Sequence, residues 1–348
     1  MMENFSETII TWYQINKRDL PWRNTTNPYF IWLSEIILQQ TRVDQGLPYY
    51  IKFAEAFPTI QDLAKASQDE VLRLWQGLGY YSRGRNLHFT ANQVVKDFNG
   101  QFPAKYDDLI KLKGVGTYTA AAVASFCSNE NKAVVDGNVY RVLARYFGIE
   151  TDISLSTTQK EFQTLASELL NKKNPGQHNQ AIMEFGALQC VPKNPNCNDC
   201  PFQLTCYAFS KKKITNLPFK TKKVKVKSRH FSYIIVRSKD YTLVKRRLPG
   251  DIWEGLYEFP LIETPHEIDA MDLLNSVAFK MLINNNKYQV VSVSRQFKHQ
   301  LTHQTIYCKF FEIKVDEPTN IIGFESVMWS DLDNYPKPIL IQRYYLNN

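Results

Sequence analysis

The sequence has no apolar run long enough to span a bilayer and no basic residue among its first ten positions. The first absence excludes a transmembrane helix. The second, together with Glu3 and Glu7 in that stretch, excludes an N-terminal targeting peptide. Cysteine is also scarce, with 6 in 348 residues, which disfavours the disulfide framework of a secreted domain. We therefore expect an intracellular protein of two or three globular domains, in a compartment that keeps thiols reduced.

The formal net charge of +8 is concentrated in one segment of the chain. Residues 211–229 carry nine Lys or Arg and no acid, whereas the remainder is nearly neutral. Such a segment is either a solvated linker or a strap that follows phosphates, and its charge favours neither. Its few apolar residues indicate that it has little core of its own.

Four of the six cysteines lie close together, in the spacing C-x6-C-x2-C-x5-C. They are Cys190, Cys197, Cys200 and Cys206. Soft thiolate ligands favour zinc and iron. A zinc ribbon usually offers two C-x2-C pairs, and this run has only one, with wider gaps on either side. The spacing therefore predicts a metal or iron–sulfur cluster site.

The pattern of apolar residues changes at the basic segment. Before it, periodic apolar residues predict helices, including those over 30–40, 71–75, 119–126, 139–147 and 161–170. After it, the pattern predicts two strands joined by a short turn, then a helix and a further strand, over 233–236, 241–245, 271–282 and 307–315. We expect an all-helical half followed by a smaller α+β half.

Three places in the helical half allow both a chemical and a purely structural interpretation. Gly114 and Gly116 lie between two helices, which suits either backbone amides that hold a phosphate or an ordinary tight turn. Glu35 lies in an apolar helix, so its pKa would rise as a general acid requires, unless it occupies the one solvated position. Asp136 precedes a helix and is an N-cap by default, but near Glu35 it would stabilise developing positive charge.

Taken together, these motifs resemble a known family. The loop 112–116, the run 135–139 and the cysteine spacing resemble the endonuclease III-type DNA glycosylases. Within that superfamily, Leu33-Ser34-Glu35 continuing to Leu38-Gln39-Gln40-Thr41, and the run 77–83, resemble the adenine DNA glycosylase (MutY) family. The motifs recur in the same order along almost the whole chain.

The resemblance implies a multi-domain fold. Residues 1–210 would form an all-α helix-hairpin-helix DNA glycosylase domain whose four clustered cysteines hold a [4Fe–4S] cluster, structural or redox-sensing in role. Residues 211–228 would be a basic linker, and residues 229–348 an α+β Nudix-like domain that recognises 8-oxoguanine. The implied partner is duplex DNA with adenine opposite 8-oxoguanine or guanine. The protein would be a cytoplasmic monomer that acts on chromosomal DNA without contact with a membrane.

The implied reaction is hydrolysis of the N-glycosidic bond of the mispaired adenine in base excision repair. Glu35 would protonate the adenine and later handle the attacking water. Asp136 would stabilise the oxocarbenium-like sugar or bond to it transiently. Tyr118 is a catalytic position, because members that also cut the strand have a Schiff-base lysine there. The resemblance therefore implies base removal without an efficient lyase step.

Further positions are implied to contact the DNA. The adenine pocket would be lined by Trp22, Arg23, Leu38 and Gln180. Of these, Gln180 would read the edge of the base. Gln40 and Tyr80 would wedge into the base stack after the adenine is flipped out. Phosphate contacts are implied at the hairpin loop, by Lys113, Gly114 and Gly116.

The C-terminal half resembles the Nudix-like domain of the same family. Residues 247–260 match its first signature, but no R-E-x-x-E-E box follows to hold magnesium, which implies recognition without hydrolysis. The family's F-S-H segment corresponds here to His299-Gln300-Leu301-Thr302-His303. Leu301 replaces the aromatic residue, and Thr302 replaces the serine but keeps the hydroxyl that could bond the lesion.

Three other functions are compatible with parts of the pattern. A bifunctional enzyme for oxidised pyrimidines is opposed by Tyr118 and by the second domain. A cluster-bearing DNA-binding regulator would make Glu35 and Asp136 structural only. A Nudix pyrophosphatase would hydrolyse nucleotides with magnesium.

Overall fold

The computed structural model describes residues 3–221, 226–284, 286–316 and 323–346. The chain forms two compact units: Met1–Lys65 with Asn86–Lys222, and Ala66–Arg85 with Lys223–Asn348. The predicted domain boundaries after residues 210 and 228 remain predictions. Part of the predicted basic linker, residues 222–225, lies outside the described residues. In the described part of the chain, no helix has both the length and the apolarity needed to cross a membrane.

Helices account for the regular structure of the chain up to residue 210. They are α1 (Glu3–Asn16), α2 (Pro28–Leu38), α3 (Val43–Ala56), α4 (Ile60–Lys65), α5 (Gln68–Leu74), α6 (Ser82–Asp97), α7 (Tyr106–Leu109), α8 (Thr117–Ser128), α9 (Gly137–Phe147), α10 (Ser156–Leu169), α11 (Pro175–Leu188) and α12 (Tyr207–Ser210). The predicted helices are present, and their ends differ by a few residues.

Local signals explain where the helices of the site begin and end. Asn27 caps α2 by accepting the Tyr29 N–H at 3.0 Å, and Pro28 occupies its first turn. The helix ends at Leu38 rather than at the predicted residue 40, because Gln40 takes a left-handed backbone with φ of 56°. At the other end of the site, Gly148 closes α9 with φ of 76°.

The core of the first unit joins the N-terminal helix to helices much later in the chain. Side chains of α1, α9, α10 and α11 meet there, including Phe5, Ile9, Leu143, Phe162 and Phe185. Burial of these large apolar side chains is the main force that fixes the four helices together. This packing brings the two ends of the helical region to one place.

The second unit is built on two small sheets. Its strands are β1 (Lys227–Arg237), β2 (Tyr241–Arg246), β3 (Tyr257–Glu258), β4 (Leu261–Thr264), β5 (Tyr288–Val293), β6 (Phe297–Gln300), β7 (Gln304–Val315) and β8 (Glu325–Met328). One sheet has the order β4-β1-β7-β5, with β6 also paired to β7, and the other has the order β3-β2-β8. Only the pairing of β1 with β7 is parallel among the described strands.

Three helices follow β1 in the described part of the second unit: α13 (Ala270–Asn275), α14 (Val277–Ile283) and α15 (Ile339–Leu346). The single helix predicted over 271–282 is wrong. Ser276 has an extended backbone, and its hydroxyl oxygen accepts the Phe279 N–H at 3.2 Å, so it ends one helix and caps the next. Phe279 packs with Ile234 and Phe311 in the core of this unit.

The segment 66–85 belongs to this unit although it precedes β1 by more than a hundred residues. Arg246 pairs with Asp69 at 2.8 Å, and Arg85 donates to the Glu254 carbonyl at 2.7 Å. The apolar periodicity of 71–75 gave no sign of these contacts, because their partners lie far along the chain.

Candidate active site

A cavity of about 170 Å³ in the first unit is lined by seven of the residues singled out above. They are Trp22, Arg23, Glu35, Leu38, Tyr118, Asp136 and Gln180. They come from the turn before α2, from α2 itself, and from α8, α9 and α11. Since these elements are far apart in sequence, only the helix packing brings the residues together.

Glu35 is a carboxyl group of this cavity whose acidity is strongly reduced. It lies on the apolar helix α2 and is only 7% exposed. Burial raises its pKa from the ordinary 4.5 to about 7, and the nearby Asp136 acts in the same direction. A hydrogen bond donated by the Tyr118 hydroxyl and the positive charge of Arg23 oppose the rise. Glu35 is thus a carboxyl group that can hold a proton near neutral pH.

Asp136 is the N-cap residue of α9, which is the structural one of the two roles that its sequence position allowed. It caps α9, because Oδ1 accepts the N–H groups of Asn138 and Val139, each at 2.8 Å. Its Oδ2 accepts from Asn138 Nδ2 at 2.9 Å. The carboxyl group of Asp136, which caps the helix, also lines the cavity that contains Glu35. Burial raises the pKa of Asp136, and the three hydrogen bonds oppose that rise.

A second glutamate, Glu184 on α11, lines the same cavity and was not predicted from the sequence. It is 1% exposed and pairs with two arginines. Arg18 donates through Nε at 2.9 Å and Nη2 at 2.7 Å, and Arg23 donates through both terminal nitrogens at 2.8 and 2.7 Å. Burial raises the pKa of Glu184, but these hydrogen bonds outweigh it and lower the pKa to about 2. The available signal was its position four residues after Gln180 on α11.

Gln180 has a partner that the sequence did not suggest. The hydroxyl of Tyr13, on α1, donates to Gln180 Oε1 at 2.6 Å. Tyr13 is 4% exposed and belongs to the core of the first unit. Its spacing with Ile9 explains it as a core residue, so sequence periodicity alone gave no reason to assign it to the site.

The hairpin loop predicted to contact phosphate lies between α7 and α8. Gly114 has φ of +74°, and an added Cβ would meet Asn86 at 2.9 Å, so glycine is required there on both counts. Gly116 is the N-cap residue of α8. Thr90 donates to the Lys113 carbonyl at 2.6 Å and the Lys113 N–H donates to Gln93 at 3.1 Å, which leaves the lysine side chain exposed on a fixed backbone.

The two predicted wedge residues share an unusual backbone. Gln40 and Tyr80 both have positive φ, at 56° and 47°, and both side chains are exposed. Left-handed backbone at residues other than glycine costs energy and is enriched at functional sites. In the second unit the Tyr80 hydroxyl lies 2.7 Å from the Thr302 hydroxyl, so two separately predicted residues are in contact there.

Thr302 belongs to a tight turn between β6 and β7. The turn is closed by the Leu301 N–H, which donates to the Gln304 carbonyl at 2.8 Å. Thr302 and His303 are exposed at its tip, whereas the His299 ring is half-buried 5.8 Å from the ring of Trp253. Burial, and the positive charge of Arg343, lower the pKa of His299.

The four clustered cysteines surround one small cavity of about 30 Å³. Arg145 on α9 holds this loop: it is 2% exposed and donates to the carbonyls of Val191 and Pro192 at 2.8 and 3.0 Å and to Cys190 Sγ at 3.4 Å. Within the described residues, no three His, Cys, Asp or Glu side chains are close enough to bind a single metal ion. Four thiols around one cavity are a ligand set of the kind that zinc and iron–sulfur clusters take.

Comparison with protein families assigns both halves of the chain. The family described as HhH-GPD superfamily base excision DNA repair protein matches residues 33–170, and the NUDIX domain family matches residues 232–347. These matches, with the helices and sheets described above, confirm the predicted fold class.

Several adenine DNA glycosylases are similar over most of the chain. That of Buchnera aphidicola subsp. Baizongia pistaciae is 35% identical over 336 residues, covering 95% of this chain and 92% of its own. That of Arabidopsis thaliana is 37% identical, covering 85% of this chain and 54% of its own. The human protein is 43% identical over 213 residues, which cover 59% of this chain and 39% of the human one.

Solved structures match the helical part. A thermostable thymine-DNA glycosylase is 31% identical, with a TM-score of 0.55, over 60% of this chain and 97% of that one. Endonuclease III in a non-covalent complex with DNA matches with a TM-score of 0.52 over 61% of this chain and 98% of that one. At 20% identity, the second match establishes the fold alone.

Proposed function

The chain belongs to the adenine DNA glycosylase family, and we propose that its substrate is adenine mispaired with 8-oxoguanine or guanine in duplex DNA. The general activity, removal of adenine in base excision repair, follows from family membership. The choice of mispair and the roles of individual residues are our proposal. The observation that carries the proposed catalytic roles is a buried carboxyl group, Glu35. Its pKa of about 7 leaves it protonated on part of the molecules at neutral pH.

The reaction begins with a proton transfer from Glu35 to a ring nitrogen of the flipped-out adenine. The electron pair of the N-glycosidic bond then moves onto the base, and the sugar is left with positive charge. The ionised carboxylate of Asp136 stabilises that charge across the same cavity. Water adds to C1′ and loses a proton to Glu35, which restores the starting state and leaves an abasic site. Tyr118 has no amine with which to form a Schiff base, so the strand stays intact.

Exposed residues within each unit, taken separately, would contact the DNA. Gln40 and Tyr80 would enter the base stack, and the hydroxyl of Thr302 would bond the oxidised guanine. The contact between Tyr80 and Thr302 supports this assignment, because it joins the two predicted recognition elements. Lys113 and the loop glycines would hold a phosphate. The protein would act as a monomer.

The proposal is tested by single-turnover release of adenine from duplexes that contain one A opposite 8-oxoguanine, guanine or thymine. We expect release from the two mispairs and none from A·T. Glu35→Gln should slow it by roughly 10²- to 10⁴-fold, as expected for a lost general acid. Strand breaks should follow only after treatment with alkali.

A matched control is Glu168→Gln, which makes the same change at an exposed position of α10. This variant should release adenine at the wild-type rate. Equal loss in both variants would show a general effect on the fold, and undiminished release by Glu35→Gln would contradict the proposed role of Glu35. Breaks before alkali would contradict the absence of a lyase step.

The four cysteines would hold a [4Fe–4S] cluster that stabilises the end of the helical unit. The ligands would be Cys190, Cys197, Cys200 and Cys206. Iron and acid-labile sulfide should each be found at four per chain in protein purified without oxygen. Cys200→Ser should lose most of both, whereas Cys127→Ser, which changes a cysteine outside this cavity, should retain them. Full iron content in Cys200→Ser would contradict the ligand set.

A further inference from the structure

We infer that Tyr13 is a positioning residue that fixes which end of the Gln180 amide is oxygen, and that it thereby makes the pocket select adenine against 6-oxopurines. This inference rests on the proposed function, in which Gln180 reads the edge of the base. Tyr13 does not touch the base itself. It acts through Gln180.

The contact between the two side chains is short and fixed from both sides. The Tyr13 hydroxyl donates to Gln180 Oε1 at 2.6 Å, and α1 packs against α11. A second hydrogen bond joins the same two helices, between Ser6 Oγ and His178 Nδ1 at 2.8 Å. Phe5 and Ile9 are fully buried beneath them. The position of the hydroxyl is therefore set by helix packing and does not depend on Gln180.

The direction of the hydrogen bond follows from the properties of the phenol. Burial raises the pKa of Tyr13, so its hydroxyl keeps its proton at neutral pH. The Arg23 guanidinium lies 5.6 Å from the ring centre, and its positive charge makes the O–H a better donor. An amide oxygen accepts two hydrogen bonds, whereas the amide nitrogen only donates. The oxygen end of the Gln180 amide therefore faces Tyr13, and the nitrogen end remains to donate to a base.

An amide held in this way matches only one purine pattern. Adenine offers an amino donor at C6 and an acceptor at N1, which pair with the second lone pair of Oε1 and with Nε2–H. Hypoxanthine offers the reverse, an acceptor at C6 and a donor at N1. It could be read only if the amide turned by half a revolution, and the amide nitrogen, which only donates, would then leave the Tyr13 O–H without its acceptor. A polar group left unpaired in a buried site disfavours the wrong ligand strongly.

The experiment compares two substrates on each protein, adenine and hypoxanthine opposite 8-oxoguanine, by single-turnover kinetics. The ratio of the two rates does not depend on the active fraction of a preparation. Tyr13→Phe should lower the preference for adenine about fivefold, the value of one lost hydrogen bond. Tyr29→Phe is the matched control, because it removes another buried phenol, which donates to the Phe57 carbonyl at 2.7 Å outside the cavity. Its preference should equal that of the wild type.

A double-mutant cycle separates positioning from general destabilisation. Gln180→Ala should lower the preference, and adding Tyr13→Phe to it should change the preference no further. An unchanged preference in Tyr13→Phe, with a lowered one in Gln180→Ala, would overturn this inference and leave the proposed function intact. An unchanged preference in Gln180→Ala would overturn both the inference and the proposed base-reading role. Absence of adenine release by the wild type would overturn the proposed function itself.

Discussion

The two walls of the cavity carry glutamates that are buried to a similar degree and have opposite acidities. Glu35 is 7% exposed with a pKa of about 7, whereas Glu184 is 1% exposed with a pKa of about 2. Glu35 has apolar neighbours, one phenol and a second carboxyl group nearby. Glu184 has two arginines that donate directly to both of its oxygens.

The difference shows that burial alone does not decide what a carboxyl group can do. Without a cation in direct contact, burial leaves a proton on the carboxyl group, and that group can give the proton to a substrate. With two arginines in contact, burial strengthens the ion pairs, and the group becomes a fixed part of the wall. One cavity thus contains a glutamate suited to chemistry, on α2, and a glutamate that supports the fold, on α11.

The largest expected effect comes from removing the charge on the architectural side. Glu184→Gln keeps the shape of the side chain but leaves Arg18 and Arg23 facing a neutral amide. We expect the free energy of unfolding to fall by about 3 kcal/mol, because a buried charge pair loses one partner. Urea unfolding of the wild type and the variant measures this loss.

The exposed change Glu168→Gln is the control for Glu184→Gln and should alter the free energy of unfolding by less than about 0.5 kcal/mol. Equal stability of Glu184→Gln and the wild type would contradict the stabilising role that we assign to Glu184. The ion pairs would then contribute no more than a neutral hydrogen bond.

The two walls also differ in how much of them the sequence could predict. Part of the environment of Glu35 is created by its own apolar helix, so the residues around it in sequence already indicated desolvation. The partners of Glu184 and Gln180 lie 166 and 167 residues away, on Arg18 and Tyr13. No local pattern encodes such contacts, because they arise only when α1 and α11 pack together.

The second unit shows the same limit. The alternation over 307–315 predicted a strand correctly within β7, because alternation is a local property. The apolar periodicity over 271–282 predicted one helix, whereas the structure has two. The single capping residue Ser276 divides them, and the periodicity of the apolar run around it did not reveal this. The contact between Tyr80 and Thr302 depends on the packing of 66–85 in this unit, which the helical pattern of that segment did not reveal.

The second expected effect is a difference in pH dependence between the two walls. The folded pKa of Glu35, about 7, lies above the ordinary 4.5, so the folded protein loses stability as the pH rises between these values. Glu35→Gln cannot ionise and should become more stable than the wild type across that window, by up to roughly 3 kcal/mol above it. Denaturation at a series of pH values measures the difference.

Glu184 should give the opposite slope in the same measurement. Its folded pKa, about 2, lies below 4.5, so its stabilising effect is present above 4.5 and is lost as the pH falls toward 2. The deficit of Glu184→Gln relative to the wild type should therefore shrink in acid. Parallel pH profiles for the two glutamine variants would contradict the contrast.

A smaller effect is expected at Asp136, which combines both situations because it is half-buried and accepts three hydrogen bonds from the helix that it caps. Asn138→Ala removes the one that comes from a side chain. The pKa of Asp136 should rise further, so the rate of adenine release should begin to fall at a higher pH on the acid side. The cost should be about 1 kcal/mol at most. Asn92→Ala, at an exposed position of α6, should leave the acid side unchanged.

The smallest effect sharpens the comparison at Glu35 itself. The Tyr118 hydroxyl donates to this carboxyl group and holds its pKa below the value that burial alone would give. Tyr118→Phe should therefore raise the pKa of Glu35, and the alkaline decline in the rate of adenine release should move upward by up to about one pH unit. Tyr29→Phe should leave the decline in place. A downward movement of the alkaline decline would mean that Tyr118 favours the protonated form of Glu35. Burial would then contribute less to the raised pKa of Glu35 than we argue.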